Sequence, residues 1–263
     1  MILCLAARAQ AADPSPYTVS IQSTGIGALD AALQGSSQLQ SLRTSAPVGP
    51  FALIGRAERD IGRLETVLES FGFYRRSLKV TINGQPLDDP GLPDLIAALP
   101  RDQPAKVNVA IDLGPLYHVR KVTIEGEISA AARSGMNLEP GAPAVAANVV
   151  GARDRLLTTL QEEGHALARV DLPIAYEDPT EPVLDVTFKV DAGPVLHVGE
   201  IRFFGLKRVH ERFVRKRLLL HTGELYRPST IERARTDLLS LGVFSGVTVH
   251  SSKEPDDQGR LPL

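Results

Sequence analysis

One segment of this chain occurs twice, 79 residues apart. Asp112-Leu113-Gly114-Pro115-Leu116-Tyr117-His118-Val119 returns as Asp191-Ala192-Gly193-Pro194-Val195-Leu196-His197-Val198. Each copy runs into a short alternating stretch closed by glycine, Val122–Gly126 and Ile201–Gly205. A fixed internal period describes a string of small structural units, none of which can hide its apolar face in one large core. A second marker sets the number. Apolar residues at helical spacing, then glycine, then an alternating run appear at Leu64–Ile82, Leu157–Leu172 and Arg235–Val249. Three units follow, at residues 17–114, 115–193 and 194–263.

Each unit is large enough for one small two-layer core. Trp is absent, so Leu, Ile, Val and Ala must supply the packing. Residues 1–12 read as the tail of a secretory signal, with small residues before a cut near Ala12. The only cysteine, Cys4, lies inside that stretch. A mature chain starting near Asp13 therefore has neither a disulfide framework nor a cysteine metal site. Charge is distributed unevenly. Lys+Arg against Asp+Glu stand at 9 and 10 in the first unit, 7 and 12 in the second, and 12 and 8 in the third. The two ends of the chain thus suit different neighbours.

The pattern in each unit reads β-α-α-β-β, an α+β arrangement. In the first unit, a strand at Tyr17–Ile21 precedes helices near Ala28–Leu42 and Phe51–Phe71. The second helix would bury a stripe of Ile54, Ala57, Ile61, Leu64, Leu68 and Phe71. Strands follow at Leu78–Ile82, closed by the turn pair Asn83-Gly84, and at Lys106–Ile111. The second unit repeats this order, with strands at Val119–Glu125, Ala168–Tyr176 and Leu184–Val190. The third has strands at Val198–Phe204 and Val243–His250, and Ser229-Thr230-Ile231-Glu232 fits a capping box at the start of its second helix. Its last strand opens at Arg260 and is truncated at Leu263. Pro173 cannot donate to a ladder, which places the second strand at a sheet edge and the last strand in the centre. The expected unit is a three-stranded mixed sheet covered by two helices.

Catalytic constellations do not emerge. Thr24-Gly25-Ile26-Gly27-Ala28-Leu29-Asp30 imitates a dinucleotide loop, but Asp30 stands where the third glycine belongs. His118 and His197 hold equivalent repeat positions, which suits a structural role at the junctions. Glu162-Glu163-Gly164-His165 reads as a solvated helix end. No nucleophile triad, phosphate loop or paired carboxylates appear, so the chain is read as a non-enzyme without cofactor or metal.

Tandem β-α-α-β-β units, Gly-Pro at each junction, a Leu-rich segment ending in Gly before the second strand and a first strand ending in Gly resemble POTRA domains. These are the periplasmic modules of outer-membrane protein assembly factors of the BamA and TamA superfamily. Three units with a long first one are most similar to the TamA type. The resemblance implies a periplasmic arm at the outer membrane that handles unfolded outer-membrane and autotransporter polypeptides. It further implies a TamB-like partner anchored in the inner membrane, and a C-terminal β-barrel that these residues do not contain. A POTRA arm of a two-partner secretion transporter, or of a division-type protein, is the alternative. A cytoplasmic nucleotide-binding enzyme is a distant third.

Two candidate surfaces follow. An extended client can pair its backbone with an open sheet edge. Val243, Phe244, Val247, Thr248 and Val249 carry neither charge nor proline, whereas Arg75, Arg76 and Lys79 charge the first unit's second strand and Pro173 interrupts the second unit's. Lys207, Arg208, Arg212, Arg215 and Lys216 form a basic helix face suited to lipid phosphates or a barrel. Nucleic acid is the less fitting polyanion, because no stacking aromatics accompany the charges.

Overall fold

The computed structural model describes residues 15–100 and 102–263; the signal reading of residues 1–12 and Cys4 lies outside them. The described residues divide into two compact units, one within residues 15–118 with 143–146, and the other residues 119–142 with 147–263. Three separate sheets are distributed over them.

The first sheet is built from β1 (Tyr17–Ile21), β2 (Ser77–Ile82), β3 (Gln85–Pro86) and β4 (Ala105–Asp112) in the order β1-β4-β2-β3. β4 lies centrally, parallel to β1 and antiparallel to β2. Its alternation puts Ala105, Val107 and Val109 into the core. Four helices accompany the sheet: α1 (Gly27–Ser36), α2 (Gln38–Ser41), α3 (Pro50–Ser70) and α4 (Leu92–Ala97). The expected three strands and two helices are thus exceeded. Asn83 and Gly84 both have positive φ and reverse the chain into a short hairpin, so β3 covers the edge of β2. Leu92 and Ile96 anchor α4 in the core, turning the Pro- and Asp-rich stretch into structure.

Two polar residues explain the remaining differences. The expected single helix near Ala28–Leu42 breaks at Ser37, whose hydroxyl donates to Asp60 at 2.6 Å. Asp60 also accepts the N–H groups of Gln38 and Leu39, which open α2. Arg56 is buried as well, donating to the Tyr17 hydroxyl and to the carbonyls of Leu42 and Ala46. The buried face of α3 therefore runs through Leu53, Arg56, Ala57, Asp60, Leu64 and Leu68, shifted from the purely apolar stripe by the needs of unpaired backbone.

The second sheet contains β5 (His118–Glu125), β6 (Arg169–Val170), β7 (Ile174–Glu177) and β8 (Val183–Asp191). β8 is central, with β5 on one side and β6 and β7 on the other. The expected single strand Ala168–Tyr176 is split. Val170 pairs with Val190 and Ile174 with Thr187, which leaves one extra residue around Pro173 and makes a bulge at the edge. Helices α5 (Ala130–Gly135) and α6 (Ala146–Glu162) complete this part, with α6 burying Val149, Ala152, Leu156 and Leu160.

Arg120 ties this sheet together. Its guanidinium donates to both oxygens of Asp185 on β8 and to Asp178 after β7. Asp178 is held below the usual carboxylate range first by the N–H groups of Glu181 and Thr180, then by the Thr180 hydroxyl and Arg120. Arg120 holds Asp185 down in the same direction. Stabilisation from such depressed carboxylates is fully present above their unfolded pKa of about 4 and is lost progressively as pH falls from there through the lowered folded value. The Arg120→Ala variant is accordingly expected to unfold at lower urea than the parent at pH 7, with the gap narrowing at pH 2. Urea titrations at both pH values check this.

The third sheet pairs β9 (His197–Val198) in parallel with β10 (Arg260–Leu261), beside helices α7 (Glu211–Arg217) and α8 (Pro228–Ser240). The pairing continues past both strands: Leu263 N–H donates to Glu200, and Arg202 N–H to Leu263. Val198–Phe204 is therefore paired as far as Arg202, and Phe203 and Phe204 make no backbone–backbone hydrogen bond among the described residues. Val243–His250 is not a strand. Beyond it, Ser252 N–H donates to the Pro262 carbonyl and Asp256 N–H to that of Arg260.

Candidate functional site

The third sheet and its helices enclose an apolar cavity of about 350 Å³. Its floor comes from α7 and α8, through Val214 on one side and Ile231, Ala234 and Leu238 on the other. One wall is Ile201–Leu206; the other holds Phe244 and the run from Gly246 to His250. Among the described residues, Phe203–Gly205 and Val247–His250 make no backbone–backbone hydrogen bond. The cavity thus has an apolar floor between two rows of chain, in the place that the central last strand takes in the first two sheets. Phe204 is 87% exposed and Val243 51%, leaving large apolar surface at its margin.

The sequence-selected residues divide as follows. Phe244, Val247, Thr248 and Val249 line the cavity, while Val243 lies outside it. Lys207, Arg208, Arg212, Arg215 and Lys216 are all exposed. Arg215 is committed elsewhere: it pairs with Glu211, donates to the Ile201 carbonyl and lies over the Phe203 ring at 5.0 Å. It supports a cavity wall. Arg212 and Lys216 share a shallow depression with Glu211 and Arg215.

The other candidates have structural partners. Asp30 accepts from Ser23 and from the N–H and hydroxyl of Thr24, so its own carboxylate closes the glycine loop; these bonds, the Ser23 one first, lower its pKa. His118 bridges Pro143, and His197 bridges Leu225. No group of three potential metal ligands occurs among the described residues, and no described helix is long and apolar enough to cross a membrane.

Sequence reasoning missed Glu162. It is no idle helix end, for it accepts the Ser229 N–H at 2.8 Å and the Ser229 hydroxyl at 2.6 Å. The expected capping box at Ser229–Glu232 is not formed, because Glu232 pairs with Arg235 and Arg227 is the N-cap. The signal for that partnership was invisible in sequence, where the two residues lie far apart.

Comparison with known proteins agrees with this architecture. Residues 196–263 match the POTRA family, described as a surface antigen variable number repeat. The solved POTRA domains 3–5 of BamA from Haemophilus influenzae superpose with a TM-score of 0.54 at 17% identity, covering 95% of this chain and 94% of that one. The fold is that of a tandem POTRA region, built like those of BamA-superfamily proteins. Among curated proteins, the outer membrane protein assembly factor BamA of Neorickettsia risticii (strain Illinois) is 31% identical over 98 residues. That match spans 37% of this chain and 13% of the relative.

Proposed function

We propose that this chain is the periplasmic POTRA arm of an outer-membrane protein assembly or secretion factor, of the TamA type. It receives unfolded outer-membrane and autotransporter polypeptides in extended form and passes them towards a membrane-embedded barrel. A TamB-like partner docks on the same arm. The observation that carries this reading is the POTRA match of residues 196–263 within a tandem POTRA fold. Main-chain pairing is indifferent to side-chain sequence, and an apolar floor accepts alternate side chains loosely, which suits a handler of many clients. The basic side chains Lys207, Arg208, Arg212 and Lys216 flank this region and suit lipid phosphates at the membrane surface.

Photo-cross-linking tests the reading. A benzophenone side chain at Phe244 or Val247 is expected to capture an unfolded outer-membrane protein. Proline at Val249 should reduce that capture several-fold with the circular dichroism spectrum unchanged, since an added ring and a lost N–H disrupt pairing. Capture only from positions in the first sheet would overturn the assignment.

A further inference from the structure

We infer that Glu162 is a latch that fixes the third sheet's module onto the second and thereby holds the floor of the apolar cavity in place. Both modules lie within one compact unit of the chain. Helix α8 begins with Arg227 as N-cap, whose side chain makes no capping bond. Pro228 has no N–H, and the N–H groups of Thr230 and Ile231 both reach the Arg227 carbonyl. Ser229 supplies the remaining donor of the first turn, and it goes to the carboxylate of Glu162 at the last turn of α6. The Ser229 hydroxyl takes the second carboxylate oxygen. A helix of one module is therefore capped by a side chain of another. The negative charge also meets the positive end of the α8 dipole.

The joint around this contact is closely packed. Gly164 has φ +100, and a Cβ there would come within 2.5 Å of Leu225 Cδ1 and 3.0 Å of Val195 Cγ1. Its carbonyl accepts the Leu196 N–H at 2.8 Å, and the Leu196 carbonyl accepts from Tyr226. His165 Nδ1 meets the Gly193 carbonyl at 2.9 Å. Main chain from the end of α6, from the Gly-Pro junction and from the segment leading into α8 is thus held in one continuous set of bonds. Ile231, Ala234 and Leu238 project from α8 into the cavity floor. A change in the first turn of α8 is passed along a short rigid rod to that floor.

The link from latch to client capture rests on the proposed function; the link from latch to joint does not. Two readouts separate them. Nitroxide labels at Thr158→Cys on α6 and Arg233→Cys on α8, in a Cys4→Ser background, report the joint by pulsed electron resonance. Amide exchange of the first turn of α8 reports the cap. Glu162→Ala is expected to broaden the label distance and to speed that exchange about tenfold. Client cross-linking at Val247 should fall with it. Glu162→Gln keeps one acceptor and should recover most of both joint readouts, which excludes general misfolding as the cause. Unchanged distance width and exchange in Glu162→Ala would overturn the latch. A loosened joint with undiminished cross-linking would overturn its control of the cavity. Absence of cross-linking in the parent protein would sink the proposed function and leave the joint result standing.

Discussion

Replacing Asp60 with alanine is expected to cost the first compact unit about 4 kcal/mol, the sum of several bonds to a buried charged acceptor, each worth roughly 1.5–3 kcal/mol less the relief of desolvation. Asp60 is fully buried and holds the Ser37 hydroxyl with the N–H groups of Gln38 and Leu39. Alanine leaves all three donors without an acceptor in a dry site. Loss of α2 would also uncover Leu39, whose carbonyl anchors the Tyr17 hydroxyl. Urea unfolding followed by tyrosine fluorescence measures the effect. Asp60→Asn should recover part of it, because its carbonyl still accepts. A loss below about 1 kcal/mol, the size of a surface ion pair, would mean that water reaches these donors.

The second large effect is expected at Gly126, which closes β5. Its φ is +128, and an added Cβ would sit 2.2 Å from the Val190 carbonyl oxygen. The obstacle is backbone of the central strand β8, so no side-chain rotation relieves it. Gly126→Ala must move the end of β5 or break its pairing, at a cost of about 3 kcal/mol or more for strain of this kind. Differential scanning calorimetry should show the transition of the second compact unit falling while that of the first stays in place. Gly141→Ala is a suitable control: it shares a positive φ of +88, but nothing lies within 4 Å of its Cβ position. An equal loss in both variants would assign the effect to backbone conformation alone.

Much of this architecture is written in short-range pattern. The repeated Asp-x-Gly-Pro segment, the helix-Gly-strand markers and the position of Pro173 yield the tandem α+β plan, a central last strand and an edge at the second. Such features depend on φ restriction, on a missing N–H and on alternation, all local properties that survive without knowledge of the fold. Composition marks Val243, Phe244, Val247, Thr248 and Val249 as a run without charge or proline, read from sequence as a strand edge, but the strand itself is not formed.

Tertiary structure decided what depends on partners distant in sequence. Val243–His250 has strand chemistry but no ladder, because pairing is a property of two segments and no backbone bond joins Val247–His250 to another among the described residues. Arg56 and Asp60 stand outside the apolar stripe expected for α3, yet backbone groups in residues 37–46 draw them inside. Arg215 reads as one more cation of a basic face until Phe203 and Ile201 are brought beneath it. Ser229 and Glu232 spell a capping box, but Glu162 reaches Ser229 from another module and Arg235 takes Glu232. At Ser229 and Glu232 a local propensity worth about 1 kcal/mol gave way to charge-assisted bonds worth more. Sequence therefore determined the repeated β-α-α-β-β plan, and the tertiary contacts determined which segments pair as strands and which polar groups hold the elements together.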